Sequence, residues 1–226
     1  YVARLPEYMP EIFGDGNLCD GTLDTLIVDD AFTPTAWSTN ILRPLDLFQR
    51  SVEVDQPGTY SVTVEDSLGC IGRSTFEVLG RSNPVPAITG DLVFCPEGST
   101  TLNAPAGYQA YEWSTAETSP TIIVAEADSI TLTVTDTFGC SGSTAVLLDT
   151  LPTPQPVISG QDYLCEGGST SLTVDNYAAY QWSTGDSTST VTVTAPMVYV
   201  VTVTDANGCA GTGQYTVFER AAPQPD

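Results

Sequence analysis

Apolar and polar residues alternate in one stretch of the chain, 199–209, whose sequence is YVVTVTDANGC. Tyr199, Val201 and Val203 lie two residues apart, which is the period of a β-strand with one buried face. A short turn and a cysteine follow. The same pattern occurs as YSVTVEDSLGC at 60–70 and as ITLTVTDTFGC at 130–140. Three copies at nearly constant spacing predict an array of three repeats.

The rest of the chain also has strand character. Short runs rich in Val, Ile and Thr are separated by Gly, Pro and Asp, and no segment of useful length has a helical period. This pattern predicts an all-β protein of three tandem antiparallel β-sandwich domains. The predicted divisions are a lead-in or linker at 1–8, repeats at 9–81, 82–151 and 152–220, and the start of a further linker at 221–226. Proline pairs in RSNPVPAITG and LPTPQPVISG favour extended, stiff connections.

Each repeated strand ends in an Asp-x-x-Gly turn, which begins at Asp66, Asp136 and Asp205. Asp at the first position and Gly at the last are typical of a type I turn. Calcium binding is the alternative role for these aspartates, but one carboxylate per turn is too few for a dedicated site. We therefore expect no metal and no cofactor.

One tryptophan lies at nearly the same place in every repeat. Trp37, Trp113 and Trp182 follow the first cysteine of their repeats by 18, 18 and 17 residues. A tryptophan between two cysteines is typical of a sandwich core, where it packs against a disulfide. Stacking on a sugar ring is the alternative. We predict the core position.

Six cysteines, two per repeat, suggest covalent staples for domains too small to bury a large core. Pairing within each repeat is one of fifteen connectivities, and it is the only one that treats the three repeats alike. The predicted disulfides are Cys19–Cys70, Cys95–Cys140 and Cys165–Cys209. Such disulfides place the chain in an oxidising compartment. Metal binding by the cysteines is a weak alternative because the chain has no CxxC pair and no histidine.

The charge is strongly acidic, with 28 Asp and Glu residues, six arginines and a net charge of −22. This charge argues against nucleic acid and anionic membrane surfaces as partners. It favours a solvated extracellular exterior, with cation binding or positively charged partners as the alternatives. No apolar run is long enough to span a membrane. The absence of histidine and lysine removes the usual general bases and Schiff-base nucleophiles, so we predict that the chain is not an enzyme.

The first repeat differs from the others in an insertion at 40–50. This segment combines two of the six basic residues with five large apolar ones. It is either a loop folded over its own domain or a contact site for an acidic partner, such as another copy of this chain. The candidate interface residues are Ile41, Leu42, Arg43, Leu45, Leu47, Phe48 and Arg50.

The two ends of the sequence carry further expectations. No signal peptide is present, so we expect a mature product or an excerpt from a longer chain. Residues 1–8 are either a linker from an upstream domain or an edge strand lent to a neighbouring molecule. The final ERAAPQPD repeats the Pro-Gln-Pro pattern of 154–156. We therefore expect the array to continue or these residues to dock a following unit.

The combined motifs resemble a known family. The order PxPxIxG, LC-EGGS-T-L, Y-x-WSTG and YxVTVTDxxGC is similar to the PKD-like or immunoglobulin-like repeats of bacterial surface proteins. Repeat three matches nearly throughout and repeat two matches well, whereas repeat one departs at the insertion and lacks the Gly after WST. The resemblance implies immunoglobulin-like folds and an extracellular or cell-surface location. Such repeats are common in large adhesins and gliding-associated proteins of bacteria with type IX secretion.

Bacteria of this kind also O-glycosylate Ser or Thr that follows Asp and precedes an apolar residue or Thr. The resemblance therefore gives five candidate O-glycosylation sites, although a chain rich in Asp, Ser and Thr also matches such a triplet by chance. These sites are Thr25, Ser67, Ser129, Thr150 and Ser187.

Two functions are compatible with these features. The first is a non-catalytic structural segment or subunit of an extracellular fibre, stalk or adhesin, whose partners are other copies or further repeats placed end to end. The second is an array of carbohydrate- or protein-binding modules attached to a secreted enzyme, with surface glycans or proteins as partners. An exposed aromatic platform in one repeat alone favours the second function.

Overall fold

The computed structural model describes residues 9–38 and 50–220. Every regular element in these ranges is a β-strand, so the predicted all-β class is confirmed. The chain forms two compact units. One comprises 1–87, 104–120 and 131–144, and the other comprises 88–103, 121–130 and 145–226. The boundaries of the three repeats remain a prediction, but the order of strands recurs along the chain.

The first repeat contains seven strands. They are β1 (Ile12–Phe13), β2 (Asn17–Cys19), β3 (Asp24–Val28), β4 (Thr33–Trp37), β5 (Ser51–Val54), β6 (Gly58–Glu65) and β7 (Ile71–Arg81). One sheet has the order β1-β3-β5, and the other has the order β2-β7-β6-β4. All pairs are antiparallel except β2 with β7. Buried residues from both sheets form one core, so this repeat is a β-sandwich.

The second repeat continues the same series. Its strands are β8 (Val93–Phe94), β9 (Thr100–Asn103), β10 (Ala110–Trp113), β11 (Thr121–Val124), β12 (Ser129–Thr135), β13 (Ser141–Leu147) and β14 (Asp149–Thr150). They form the sheet β10-β12-β13, most of which belongs to the first unit, and the pairs β11-β9 and β14-β8, which belong to the second. The β14-β8 pair is parallel, as β2-β7 is in the first repeat.

The third repeat has eight strands. They are β15 (Ile158–Gly160), β16 (Tyr163–Cys165), β17 (Thr170–Val174), β18 (Ala179–Trp182), β19 (Thr190–Val193), β20 (Val198–Thr204), β21 (Ala210–Thr216) and β22 (Phe218–Arg220). The sheets are β15-β17-β19, β18-β20-β21 and the parallel pair β16-β22. One core of buried residues joins them.

The repeated strand has the predicted buried face. In β20, Tyr199 is 2% exposed, and Val201 and Val203 are fully buried. In β6 the equivalent face is fully buried, and the hydroxyl of Tyr60 donates a hydrogen bond to the carbonyl of Gln56 at 2.6 Å. Burying each of these side chains stabilises the fold by about 1.5–3 kcal/mol, so this strand contributes strongly to each core.

The tryptophans also occupy the cores. Trp37, Trp113 and Trp182 are 7%, 2% and 2% exposed, which excludes them as sugar-stacking platforms. The packing of the tryptophans against a disulfide remains a prediction. The indole N–H groups of Trp113 and Trp182 donate to backbone carbonyls six residues later.

The predicted disulfide pairing is wrong. The structure contains Cys19–Cys140 and Cys95–Cys209, with Cα–Cα distances of 5.4 and 5.3 Å, and leaves Cys70 and Cys165 unpaired. The predicted pairs Cys19–Cys70, Cys95–Cys140 and Cys165–Cys209 are not formed. Each disulfide bonds the first cysteine of one repeat to the second cysteine of the next repeat.

The strand register explains why pairing within a repeat fails. Cys19 lies opposite Arg81, the last residue of β7, whereas Cys70 directly precedes the first residue of that strand. At about 3.3 Å per residue, the ends of β7 are about 33 Å apart. A disulfide needs Cα atoms within about 7 Å. The two cysteines of the first repeat therefore lie at opposite ends of one sheet.

The third repeat has the same arrangement. Cys165 pairs with Arg220 in β22, and Cys209 directly precedes β21, the strand before it.

Candidate functional site: the disulfide joints

Two structural parts meet at each disulfide. One is the cysteine turn, the segment from the turn aspartate to the second cysteine of a repeat: 66–70, 136–140 or 205–209. The other is the cysteine strand pair, the two short parallel strands beside the first cysteine: β2 with the end of β7, β8 with β14, or β16 with β22. We call a bonded turn and strand pair a joint.

All three cysteine turns have the same hydrogen bonds. In the second repeat, Oδ1 of Asp136 accepts from the backbone N–H groups of Phe138 and Cys140 at 2.8 and 2.9 Å. The backbone N–H of Asp136 donates to the carbonyl of Cys140 at 2.9 Å. The turns that begin at Asp66 and Asp205 repeat these bonds with distances of 2.8–3.0 Å. The aspartates therefore have the predicted role in the turn, and each one also accepts a hydrogen bond from the backbone N–H of the cysteine.

The turn also affects the acidity of the Asp66 carboxyl group in the first repeat. Hydrogen bonds from the backbone N–H groups of Cys70 and Leu68 lower the pKa of Asp66 below its ordinary value. These bonds favour the ionised carboxylate, so the cysteine turn is best ordered when Asp66 carries its charge.

The first cysteine of each repeat has an equally regular setting. Cys19 pairs with Arg81, and Cys165 pairs with Arg220. Backbone bonds close the following turn, from Thr22 N–H to the carbonyl of Cys19 at 3.1 Å and from Gly168 N–H to the carbonyl of Cys165 at 2.8 Å. The corresponding bond in the second repeat joins Gly98 to the carbonyl of Cys95 at 2.8 Å.

The joint at Cys19–Cys140 has a second contact. The guanidinium carbon of Arg81 lies 3.8 Å from the ring centroid of Phe138, the residue two before Cys140. Nε of Arg81 donates to Oδ1 of Asn17 at 2.8 Å, which orients the guanidinium. A cation–π contact of this kind contributes about 0.5–2 kcal/mol. The disulfide is therefore accompanied by a specific side-chain contact between successive repeats.

Exposure separates bonded cysteines from unpaired ones. Cys140 is fully buried and Cys209 is 1% exposed, whereas the equivalent Cys70 is exposed. Cys19 and Cys95 are half-buried, whereas the equivalent Cys165 is exposed. Both unpaired cysteines are thus available at the surface of the described chain.

The predicted interface at 40–50 lies mostly outside the described residues. This applies to Ile41, Leu42, Arg43, Leu45, Leu47 and Phe48. Arg50 is described, and its guanidinium forms an ion pair with the carboxylate of Asp30 and donates to the Asp30 carbonyl at 2.9 Å. Arg50 therefore contacts its own domain.

The candidate glycosylation sites differ in their surroundings. Thr25, Ser67, Ser129 and Ser187 are exposed, and Thr150 is half-buried. In the first triplet, Asp24 is 4% exposed and accepts hydrogen bonds from the backbone of Asp15 and Gly16 at 3.3 Å. These five sites remain predictions.

The described ranges contain no group of three or more His, Cys, Asp or Glu that could hold a metal ion, and no helix that could cross a membrane.

Comparison with known proteins found no matching family model and no matching curated protein. Among solved structures, the chain is similar to a 1.5-MDa bacterial ice-binding adhesin, with 14% identity, a TM-score of 0.36 and coverage of 95% of this chain and 98% of that one. It is also similar to the eight N-terminal immunoglobulin domains of DSCAM isoform 1.30.30, with 13% identity, a TM-score of 0.37 and coverage of 94% and 37%.

A third similar structure is SGBP-B of the Bacteroides ovatus mixed-linkage glucan utilization locus, in complex with a mixed-linkage heptasaccharide. It is 14% identical, with a TM-score of 0.22 and coverage of 91% of this chain and 65% of that one. All three TM-scores are below 0.5, so these similarities carry no argument about the function of this chain.

Proposed function

We propose that the chain is a non-catalytic structural segment of an extracellular bacterial fibre, stalk or adhesin. One observation carries this proposal: both disulfides bond a repeat to the next repeat. Each disulfide lies within one compact unit, but it bonds residues of two successive sequence repeats, so tension on one repeat passes to the next through a covalent bond.

The two disulfides shorten the covalent path along the chain. They bond Cys19 to Cys140 and Cys95 to Cys209, so the two closed loops share residues 95–140. The shortest covalent path runs through 1–19, 95–140 and 209–226, which is 83 of the 226 residues. Under tension, the residues outside this path cannot be fully extended while the disulfides are intact. This property suits a load-bearing segment.

Other features support the same proposal. The disulfides fit an oxidising, extracellular location. The proline pairs between repeats favour stiff connections, and the charge of −22 keeps such a segment dispersed. We further propose a cell-surface PKD-like or immunoglobulin-like protein secreted by a type IX system, which carries O-glycans on some of the five candidate sites and needs no metal or cofactor.

Electron microscopy of native material, labelled with an antibody raised against this chain, tests the proposal. We expect label along filaments or stalks at the cell surface, and intact masses above that of the polypeptide if glycans are present. Label on dispersed particles that contain a catalytic domain would overturn the structural role. A control antibody, absorbed with the purified chain, establishes the specificity of the label.

A second candidate function rests on two aromatic residues of the third repeat. Tyr163 and Phe218 lie opposite each other in the cysteine strand pair, and they are 36% and 60% exposed. The equivalent positions hold Asn17 and Leu79 in the first repeat. This difference is what a carbohydrate-binding module would show. Calorimetry with glucan oligosaccharides tests it: binding that is lost in a Tyr163→Ala/Phe218→Ala variant would favour the module.

A further inference from the structure

The bonding pattern of the six cysteines follows one rule. The first cysteine of a repeat bonds to the second cysteine of the following repeat, as in Cys19–Cys140 and again in Cys95–Cys209. The rule leaves two cysteines without a partner in the chain. Cys70 is a second cysteine and needs a preceding first cysteine. Cys165 is a first cysteine and needs a following second cysteine.

Both unpaired cysteines are held as their bonded equivalents are held. The N–H of Cys70 donates to Oδ1 of Asp66 at 2.8 Å, as the N–H of Cys140 donates to Asp136 at 2.9 Å. Cys165 lies in the parallel pair β16-β22, as Cys19 lies in β2-β7. Each half of a joint is therefore already formed in the folded chain.

Large apolar side chains are exposed beside both cysteines. Beside Cys70, Leu68 is 85% exposed and Ile71 is 71% exposed. At the position equivalent to Leu68, Phe138 is covered by Arg81 and is 47% exposed. Large apolar side chains this exposed, next to an unpaired cysteine, indicate a surface that is buried in an assembly.

Beside Cys165, the side chains of Tyr163, Phe218 and Arg220 share the face of Cys165, since facing and alternate residues of a parallel pair point the same way. The guanidinium carbon of Arg220 lies 5.5 Å from the ring centroid of Tyr163. Arg220 is the equivalent of Arg81, which contacts Phe138 in the formed joint. In a further joint, Arg220 would contact the residue at the position of Phe138, which is Leu68.

We infer that Cys165 of one copy of this chain forms a disulfide with Cys70 of a second copy, so that copies bond head to tail. This inference rests on the proposed structural role and identifies the partner of the chain in the assembly as a second copy of the same chain. The contact is heterologous, because the two surfaces differ, and heterologous contacts that do not close into a ring produce open filaments. The same joint that links repeats within the chain then links chains.

The bond forms by thiol–disulfide exchange with an external disulfide oxidant, such as oxidised glutathione. The thiolate of Cys70 attacks one sulfur of the oxidant and releases one glutathione thiolate. The thiolate of Cys165 from the other copy then attacks the Cys70 sulfur of this mixed disulfide and releases the second thiolate. The two cysteine protons end on the two glutathione thiols, and the oxidant gains the two electrons that the cysteines lose.

Two single variants of the full chain test this pairing. Cys70→Ser retains only the Cys165 half of the joint, and Cys165→Ser retains only the Cys70 half. The variants are incubated separately and mixed, at about pH 8 with a glutathione redox buffer. About 0.5 M sodium chloride screens the repulsion between acidic copies. Alkylation stops the reaction, and a mass tag on one variant identifies the dimers by non-reducing electrophoresis and intact mass.

We expect the mixture to form heterodimers about tenfold faster than either variant alone forms homodimers, because only the mixture brings the two complementary surfaces together. Leu68→Ala or Arg220→Ala, placed in the appropriate variant, should reduce this advantage. The unmodified chain should form a ladder of dimers, trimers and longer products. Equal rates of homodimer and heterodimer formation, or no dimer at all, would overturn the inference.

Native material gives a second measurement. Trypsin releases residues 51–73, which contain Cys70, and 82–220, which contain Cys165. We expect these two fragments to be bonded in native material and separate after reduction. A bond from 51–73 to a repeat that is not part of this sequence would overturn the second-copy joint. Labelled filaments without a 51–73 to 82–220 bond would retain the proposed function and reject the inference. If native material contains this bond but shows no labelled filaments or stalks, the inference is retained and the proposed function is rejected.

Discussion

The position that a Cβ atom would occupy at Gly142 lies 1.8 Å from the carbonyl oxygen of Pro84. The corresponding Gly211 of the third repeat has the same relationship to the carbonyl oxygen of Pro154, at 2.0 Å. In both cases the proline-rich lead-in segment passes over the start of the last long strand. The close approach of two backbones therefore requires the glycine of the Cys-x-Gly sequence in the second and third repeats, at Gly142 and Gly211.

Gly142→Ala should destabilise the chain by about 2–3 kcal/mol, because a methyl group at this position overlaps a backbone oxygen that cannot rotate away. Urea unfolding monitored by tryptophan fluorescence measures this change. Gly72→Ala is the matched control, since its Cβ would lie 3.2 Å from Cδ of Pro10 and needs only a small shift. Equal stability of the two variants would contradict the predicted overlap.

A tryptic digest should distinguish the observed disulfides from pairing within repeats. The chain has six arginines and no lysine, and Pro44 blocks cleavage after Arg43. In the alkylated, non-reduced monomer, we expect residues 5–50 to remain bonded to 82–220 through Cys19–Cys140. The fragment 51–73 should be released with an alkylated Cys70. Release of 5–50 bonded to 51–73 would instead indicate Cys19–Cys70.

Removing one joint should cost substantial stability. Cys19→Ser/Cys140→Ser opens a loop with a sequence separation of 121 residues, and chain entropy predicts a loss of about 5 kcal/mol. Thermal unfolding measures the loss. Cys70→Ser is the matched control and should change stability by less than about 0.5 kcal/mol, because Cys70 is exposed and unpaired. A large effect of the control would contradict the observed pairing.

Alkaline pH should lower the stability of the fold because the buried Tyr60 then loses its proton. Burial raises the pKa of Tyr60, and the negative charge of Asp55 raises it further. The unfolded chain loses this proton near pH 10, whereas the folded chain retains it. The resulting stability is fully present below that pH and is lost as pH rises through the folded pKa.

Tyr60→Phe should therefore be less stable than wild type at neutral pH, by about 1 kcal/mol for the lost hydrogen bond to Gln56. Its stability should fall less steeply above about pH 10. Urea unfolding at several pH values measures both effects, in a Cys70→Ser/Cys165→Ser background that prevents disulfide exchange. Parallel pH profiles of the two proteins would contradict this role of Tyr60.

Force spectroscopy should detect the shortened covalent path. With both disulfides intact, only 83 residues can be extended between the ends, which corresponds to about 290 Å at about 3.5 Å per residue. After reduction the full chain of 226 residues extends to about 790 Å. An oxidised chain that reaches the longer length would contradict the observed connectivity.

The sequence predicts the strands well and the joints poorly. The alternation at Tyr199, Val201 and Val203 identifies a buried strand face because such a pattern is local, and the burial of Trp182 follows from its place in a similar strand. The disulfides depend on which strand ends lie together. Cys19 lies opposite Arg81 through a parallel pairing across more than 60 residues, and no local pattern indicates that register.

The requirement that the three repeats be alike also misled the prediction. If all six cysteines form disulfides, only pairing within each repeat makes the three repeats alike. A staggered pairing satisfies that requirement only if cysteines remain free at both ends, as Cys70 and Cys165 do. The contact of Arg81 with Phe138 was missed as well, because the two residues belong to different repeats. Arg220 is the equivalent of Arg81, but the position of Phe138 carries Leu68 and Asn207 in the other repeats, so no repeated motif identifies the pair.

The overlap of the two disulfide loops also determines how the chain withstands a protease. A single cut of the backbone anywhere from Cys19 to Cys140 leaves both fragments bonded through the first disulfide, and a cut from Cys95 to Cys209 leaves them bonded through the second. Every peptide bond between Cys19 and Cys209 is thus covered at least once, and those between Cys95 and Cys140 are covered twice. One nick in a surface loop therefore does not sever the molecule.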